Sequence, residues 1–390
     1  MKIYHVFEFF RAFSAFRGQN DFFRIKTLKS PRILVVGPSW VGDMVMAQSL
    51  FITLKDALPD CQIDVLAPSW SLALLERMPQ VAKAVAMPLG HGQFGLPDRI
   101  KLGKKLRSEA YDQAIVLPNS WKSALIPYFA DIPVRTGYIG ECRWGLLNDA
   151  RKLDKNLLTM TVQRFVALGL SGTAPLPPEY PLPALVINRH QQQAVIEKFK
   201  LISHFVGRVS DSVTRQNPAS DVGLRSANPT YKSSTKILAL CPGAEYGEAK
   251  RWPASHYAQV ARDKIADGWQ VWLFGSDKDK ATAEQINNQV SGQCLDFTGR
   301  TSLAEAVDLL SLVNAVVTND SGLMHVAAAL DKKIIALYGS SDPGFTPPLN
   351  AKAHVISLHL DCSPCFKREC PLGHTRCLTE IKPEQVLDVI

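Results

Sequence analysis

Three places in this 390-residue chain carry residue types whose spacing suits chemistry: Asp43, Lys250 and the run Asn319-Asp320-Ser321-Gly322-Leu323. In the third, an apolar β-branched run ends at a polar corner and an Ala/Leu-rich helix follows. The first amides of such a helix have no partner within it, and Gly322 lets a ligand approach the backbone. The N–H groups of Ser321, Gly322 and Leu323, aided by the helix dipole, suit a phosphate or diphosphate. Asp320 would then face whatever the phosphate carries. The competing reading is that these polar residues only cap the helix. Asp43 follows Gly37-Pro-Ser-Trp-Val-Gly42 at a helix start on the C-terminal edge of a strand, where open parallel sheets bind ligands. It too is either a site carboxylate or a cap. In Cys241-Pro-Gly-Ala-Glu-Tyr-Gly-Glu-Ala-Lys250, Gly243, Gly247 and Lys250 suit a diphosphate, the amides by hydrogen bonds and the ammonium by charge. No Walker loop is present, since G-x4-G-K-[ST] does not occur. Gly275-Ser-Asp-Lys-Asp279 ends a further strand and offers a carboxylate to ribose hydroxyls.

The elements that must hold these residues alternate strand and helix. Strands are predicted at residues 32–36, 62–66, 83–87, 113–117 and 134–138, with helices between them and a long one from Asp43 through Leu58. A second series opens at residues 236–240 and continues at 269–274, 296–300, 315–319 and 333–338. This pattern implies two doubly wound α/β domains. Pro175-Leu-Pro-Pro-Glu-Tyr-Pro-Leu-Pro183 is a stiff, extended connector between them. The expected organisation is a basic, aromatic extension (1–30), a first domain (31–184), a linker with a mobile polar insertion (185–235) and a second domain (236–390) ending in a cysteine segment. In the first domain Lys122, Arg135 and Arg143 stand in or near loops after strands.

Forty-four basic against 36 acidic residues give a net charge of +8, which implies an anionic partner: nucleic acid, anionic lipid or a phosphorylated substrate. No apolar run reaches the length of a membrane-spanning helix. Val6, Phe9, Phe10, Phe13 and Phe16 recur at helical spacing among basic residues, as in a helix lying on anionic lipid, packed on the body, or left as an unstructured extension. Cys61, Cys142, Cys241 and Cys294 are scattered in the manner of reduced thiols, which points to the cytoplasm. Cys362, Cys365, Cys370 and Cys377 depart from the paired C-x2-C zinc pattern, so thiols or a disulfide are expected there ahead of a metal.

The letters become specific in Gly37-Pro-Ser-Trp-Val-Gly-Asp43, Leu117-Pro-Asn-Ser-Trp-Lys-Ser-Ala124, Arg135-Thr-Gly, Gly145-Leu-Leu-Asn-Asp149, Cys241 to Pro253 and Thr318 to Leu330. Together they resemble the lipopolysaccharide heptosyltransferases of glycosyltransferase family 9, and within it the transferases of the second heptose. The resemblance implies a GT-B fold, two Rossmann-like domains facing across a cleft. It also implies inverting transfer of L-glycero-D-manno-heptose from ADP-heptose to the first heptose of heptosyl-Kdo2-lipid A. In that scheme Asp43 is the general base and Lys250 binds the diphosphate. Asp320, Ser321, Gly322, Leu323 and Gly243 contact the donor, Asp279 the ribose and Thr301 the adenine pocket. His325 matches a family position. Lys122, Arg135 and Arg143 would meet the anionic acceptor. No cofactor or reaction-centre metal is expected, and the partner surface is the anionic inner leaflet of the cytoplasmic membrane rather than nucleic acid. The alternatives are a transferase of the first heptose (heptosyltransferase I) or another inner-core transferase, a GT-B-like sugar-nucleotide epimerase and a nucleotide-binding module without activity.

Overall fold

Each half of the chain builds one six-stranded, wholly parallel sheet. The computed structural model describes residues 28–90, 93–201 and 235–390; the amphipathic stretch at residues 6–16 and nearly all of the polar insertion lie outside them. The first sheet contains β1 (Arg32–Val36), β2 (Gln62–Pro68), β3 (Val81–Met87), β4 (Gln113–Val116), β5 (Val134–Tyr138) and β6 (Asp149–Arg151), in the order β3-β2-β1-β4-β5-β6. The second contains β7 (Ile237–Cys241), β8 (Gln270–Leu273), β9 (Leu295–Asp296), β10 (Ala315–Asn319), β11 (Lys333–Tyr338) and β12 (Ala353–Ser357), in the order β12-β11-β10-β7-β8-β9. Numbered within its own half, each sheet has the same order, and its direction of winding reverses once, between β1 and β4 and between β7 and β10. At such a reversal the loops leave in opposite directions and open a crevice at the strands' C-terminal ends.

The central strands read as unbroken apolar runs because helices cover both faces of each sheet. Helix α1 (Val41–Ala57) is buried on nearly every side, from Gly42 through Leu54, so it lacks a polar face. It lies against helix α2 (Thr161–Gly169) and also against the second domain. One continuous apolar cluster includes Ile33, Met44 and Phe51 of the first half together with Met324, Val326 and Ile334 of the second. The halves are further joined by the buried pair Arg77–Asp308 at 2.7 Å and by Leu185 N–H donating to the Ala329 carbonyl at 2.9 Å. Helix α3 (Arg189–Lys198), read above as part of the linker, docks on helix α4 (Leu303–Leu310), with Gln192 Nε2 donating to Ser311 Oγ at 2.6 Å.

Several elements have no counterpart in the sequence reading, among them β6, α2, β12 and the helices Lys280–Asn288, Arg376–Thr379 and Pro383–Leu387. The expected strand at 296–300 shrinks to Leu295–Asp296. There the Asp296 carboxylate accepts from Thr298 N–H at 2.8 Å and Gly299 takes φ 64°, a side-chain turn that ends the extended conformation.

Candidate functional site

The site forms where α1, which follows β1, meets helix α5 (Gly322–Ala329), which follows β10. The approach is as close as backbone allows. A Cβ on Gly42 would stand 2.5 Å from His325 Cδ2, and one on Gly322 would stand 2.7 Å from Val41 Cβ. Two glycines, one from each half, therefore bring two helix N-termini together at the domain seam. No side chain caps either start, so plain capping does not account for the polar residues there. Ser321 instead has its Oγ 3.2 Å from Thr318 Oγ1.

Lys250 Nζ donates to Asp320 Oδ2 in this seam. Their relative position is held by Asn319, whose fully buried amide joins two loops. Its Nδ2 donates to the Pro242 carbonyl at 2.7 Å, and its Oδ1 accepts from Trp252 N–H at 3.0 Å and Tyr257 Oη at 3.1 Å. The loop that carries Lys250 is thereby tied at both ends to the strand end that carries Asp320.

Asp43, partly open to the cleft, feels both charges. Burial, reinforced by the charge of Asp320 and opposed by Lys250, raises its carboxyl from 3.8 to about 6. Such a carboxylate is ionised near neutrality yet basic enough to take a proton. His325 is enclosed, and burial lowers its imidazole to about 4, with Asp320 working in the other direction. It is neutral at neutral pH and acts as the surface on which Gly42 rests.

The structure distributes the remaining predicted residues differently. Asp279 is buried and fully engaged: Oδ2 accepts from Ser276 N–H and Oγ–H, each at 2.8 Å, and Oδ1 from Arg251 at 2.9 Å. Its oxygens hold Arg251 and the turn after β8, and a Cβ on Gly243 would collide with them. Arg143 is buried, with Nε donating to the Tyr138 carbonyl at 2.9 Å and Nη1 to the Pro118 carbonyl at 2.6 Å. Arg135 donates to the carbonyls of Leu146 and Ile132, each at 2.6 Å. Arg135 thus ties together the segments that lead into β5 and β6, and Arg143 ties the loop after β5 to the loop after β4, each satisfying backbone carbonyls. Lys122 lies half-buried in the short turn Trp121–Ala124, and Thr301 Oγ1 is 3.4 Å from the Phe297 carbonyl at the start of α4. Sequence reasoning missed Asn319 as a tie and Gly42 as a contact; both stood inside quoted motifs, but only the fold shows what they touch. It also gave no part in the site to the cysteine segment, which packs on the Lys250 loop: Tyr246 Oη donates to the Phe366 carbonyl at 2.9 Å and Ala249 N–H to that of Arg368 at 3.0 Å. All four cysteines there are free, and among the described residues no three His, Cys, Asp or Glu side chains gather as a cation site.

Two doubly wound domains with their winding reversals confronting one another, a carboxylate on one side and a lysine with an uncapped helix start on the other, define a glycosyltransferase of the GT-B type. Residues 99–376 match glycosyltransferase family 9 (heptosyltransferase). The chain is 46% identical over 362 residues to lipopolysaccharide heptosyltransferase 2 of Salmonella typhimurium, covering 92% of this chain and 97% of the relative. It is 44% identical to lipooligosaccharide heptosyltransferase 2 of Haemophilus influenzae, covering 91% and 97%. The solved structure of E. coli ADP-heptose LPS heptosyltransferase II superposes with a TM-score of 0.74 at 40% identity, covering 92% of this chain and 97% of that one. This chain belongs to glycosyltransferase family 9, the heptosyltransferases. The names of these relatives agree with the resemblance read from the motifs.

Proposed function

We propose that the protein transfers L-glycero-D-manno-heptose from ADP-heptose to the first heptose of heptosyl-Kdo2-lipid A, with inversion at the anomeric carbon. The observation that carries this reading is the meeting of Asp43 with the Lys250–Asp320 pair across the domain seam. The donor lies against the second domain, its diphosphate on the amides of Ser321, Gly322 and Leu323 and on Lys250. The acceptor hydroxyl attacks the anomeric carbon from the side opposite the diphosphate and gives its proton to Asp43. The bond from that carbon to the diphosphate oxygen breaks, and ADP leaves with the electron pair, its charge stabilised by Lys250 and the helix start. Asp320 orients Lys250 and limits its reach toward Asp43.

The acceptor is anionic and anchored in lipid, which suits a chain of net charge +8. Among the described residues no helix is long and apolar enough to cross a membrane. We place the protein at the cytoplasmic face of the inner membrane, held there by charge. Mass spectrometry of lipid products tests donor, acceptor and reaction together. ADP-heptose with heptosyl-Kdo2-lipid A should yield a product one heptose heavier, and Kdo2-lipid A should yield none. Product from Kdo2-lipid A alone would assign the first transfer instead, and conversion of ADP-heptose without any acceptor would make the protein an epimerase.

A further inference from the structure

The charges gathered at the seam do not suffice for a diphosphate. Lys250 is offset by Asp320, Asp43 is ionised above about pH 6, and His325, lowered to about 4, is neutral. The next cation along the loop, Arg251, is committed to Asp279 at 2.9 Å and Glu248 at 3.2 Å. A helix start contributes about half a charge. The side chains therefore sum to about one negative charge, the two helix starts bring the seam close to neutral, and the donor's diphosphate adds two negative charges with nothing left to offset them.

The cysteine segment brings a further cation to the Lys250 loop. Its backbone is pinned to both donor-side loops: Phe366 N–H donates to the Ser340 carbonyl at 2.7 Å, Ser363 Oγ donates to that of Gly339, and the Arg368 carbonyl accepts from Ala249 N–H at 3.0 Å. The fit at Arg368 is so close that a Cβ on Gly247 would lie 2.3 Å from its carbonyl oxygen. From this fixed base the Arg368 guanidinium lies 5.4 Å from the centre of the Tyr246 ring, and Lys250 Nζ lies 5.2 Å from the same centre. Arg368 is exposed, and among the described residues it forms no ion pair with a carboxylate. Tyr246 thus has two cations against it, one neutralised by Asp320 and one uncommitted.

We infer that Arg368 is a second diphosphate-binding cation of the donor site, brought there by the terminal segment and partnered with Lys250 through Tyr246. This rests on the nucleotide-sugar reading above. A guanidinium presents a planar fork of donors to phosphate oxygens, and the ring holds it in register at little entropic expense.

The test is calorimetric titration of the full-length protein and its Arg368→Gln and Arg368→Lys variants with ADP and, separately, with adenosine. The Ala249–Arg368 bond is made by backbone, so neither variant removes the brace. Arg368→Gln should weaken ADP about tenfold and leave adenosine unchanged, with Arg368→Lys recovering part of the loss. Unchanged ADP affinity in Arg368→Gln would overturn the inference, and so would an equal loss for adenosine, which would mark a structural role. Failure of the unaltered protein to bind ADP would instead overturn the donor reading itself.

Discussion

Replacing Asp43 by Asn should make the protein more stable as well as inactive, and the gain should depend on pH. Burial and the neighbouring Asp320 charge raise this carboxyl from 3.8 to about 6. A displacement of that size penalises the ionised form by about 3 kcal/mol, and solvent in the cleft screens it to about 2 kcal/mol. Because the native value lies above the unfolded one, the native state keeps its proton longer. Stability linked to this group is full below the unfolded value and is lost as pH rises through about 6. Asn has the same shape without the charge. At pH 4.5, already above the unfolded value, the variant should be more stable by about 1 kcal/mol, and at pH 7.5 by about 2 kcal/mol. Urea or thermal unfolding at the two pH values reads this directly, since all other carboxylates are common to both proteins. In parallel, kcat/KM of the parent should rise with pH through about 6 and level off, while the variant shows no transfer but still binds ADP. A stability gain that is equal at both pH values would show that Asp43 is not held in a penalised ionised state. Near-normal turnover in the variant would show that it is not the base.

The remaining predictions concern the partners of that carboxylate. Lys250→Ala leaves Asp320 unpaired at 7% exposure; it should weaken ADP binding and destabilise the protein by about 3 kcal/mol. Since Lys250 is the group that lowers Asp43, the midpoint of any residual pH–rate profile should also move upward. Gly42→Ala drives a methyl to 2.5 Å from His325, and because His325 is enclosed the helices must part; kcat should fall and stability drop by about 1–3 kcal/mol with ADP affinity retained, as titration and initial rates would show. Arg143→Leu strips partners from the Tyr138 and Pro118 carbonyls, so unfolding should reveal a loss of about 2–4 kcal/mol while the acceptor KM of the folded enzyme stays the same. A raised KM with unchanged stability would restore Arg143 to the acceptor site.

Much of this architecture is legible from local pattern. The long apolar runs that end at Gly37, Cys241 and Asn319 are strands because β-branched residues fill a sheet covered on both faces, and the polar corners after them mark where the chain turns toward a ligand. The polar corner at Asn319 to Leu323 and the lysine loop are therefore legible in the sequence. The short elements were not: β6 spans three residues and β12 lies at a sheet edge with little burial, so neither has a period long enough to register. Charge was equally opaque. Arg135, Arg143 and Asp279 look like ligand-binding residues by position, yet each is spent on backbone carbonyls or on an internal ion pair.

The amino-acid sequence alone determined that the chain folds as two parallel α/β halves, with a carboxylate loop in the first and phosphate-binding corners in the second, because strand, helix and turn chemistry act over a few neighbouring residues. Only the tertiary structure decided that Gly42 and Gly322 let two helix starts meet, that Asn319 ties Lys250 to Asp320, and that Arg368 and Lys250 share the Tyr246 ring. Those outcomes depend on the contacts of residues up to hundreds of positions apart, and on which buried groups have already spent their hydrogen bonds, and neither is written in local spacing.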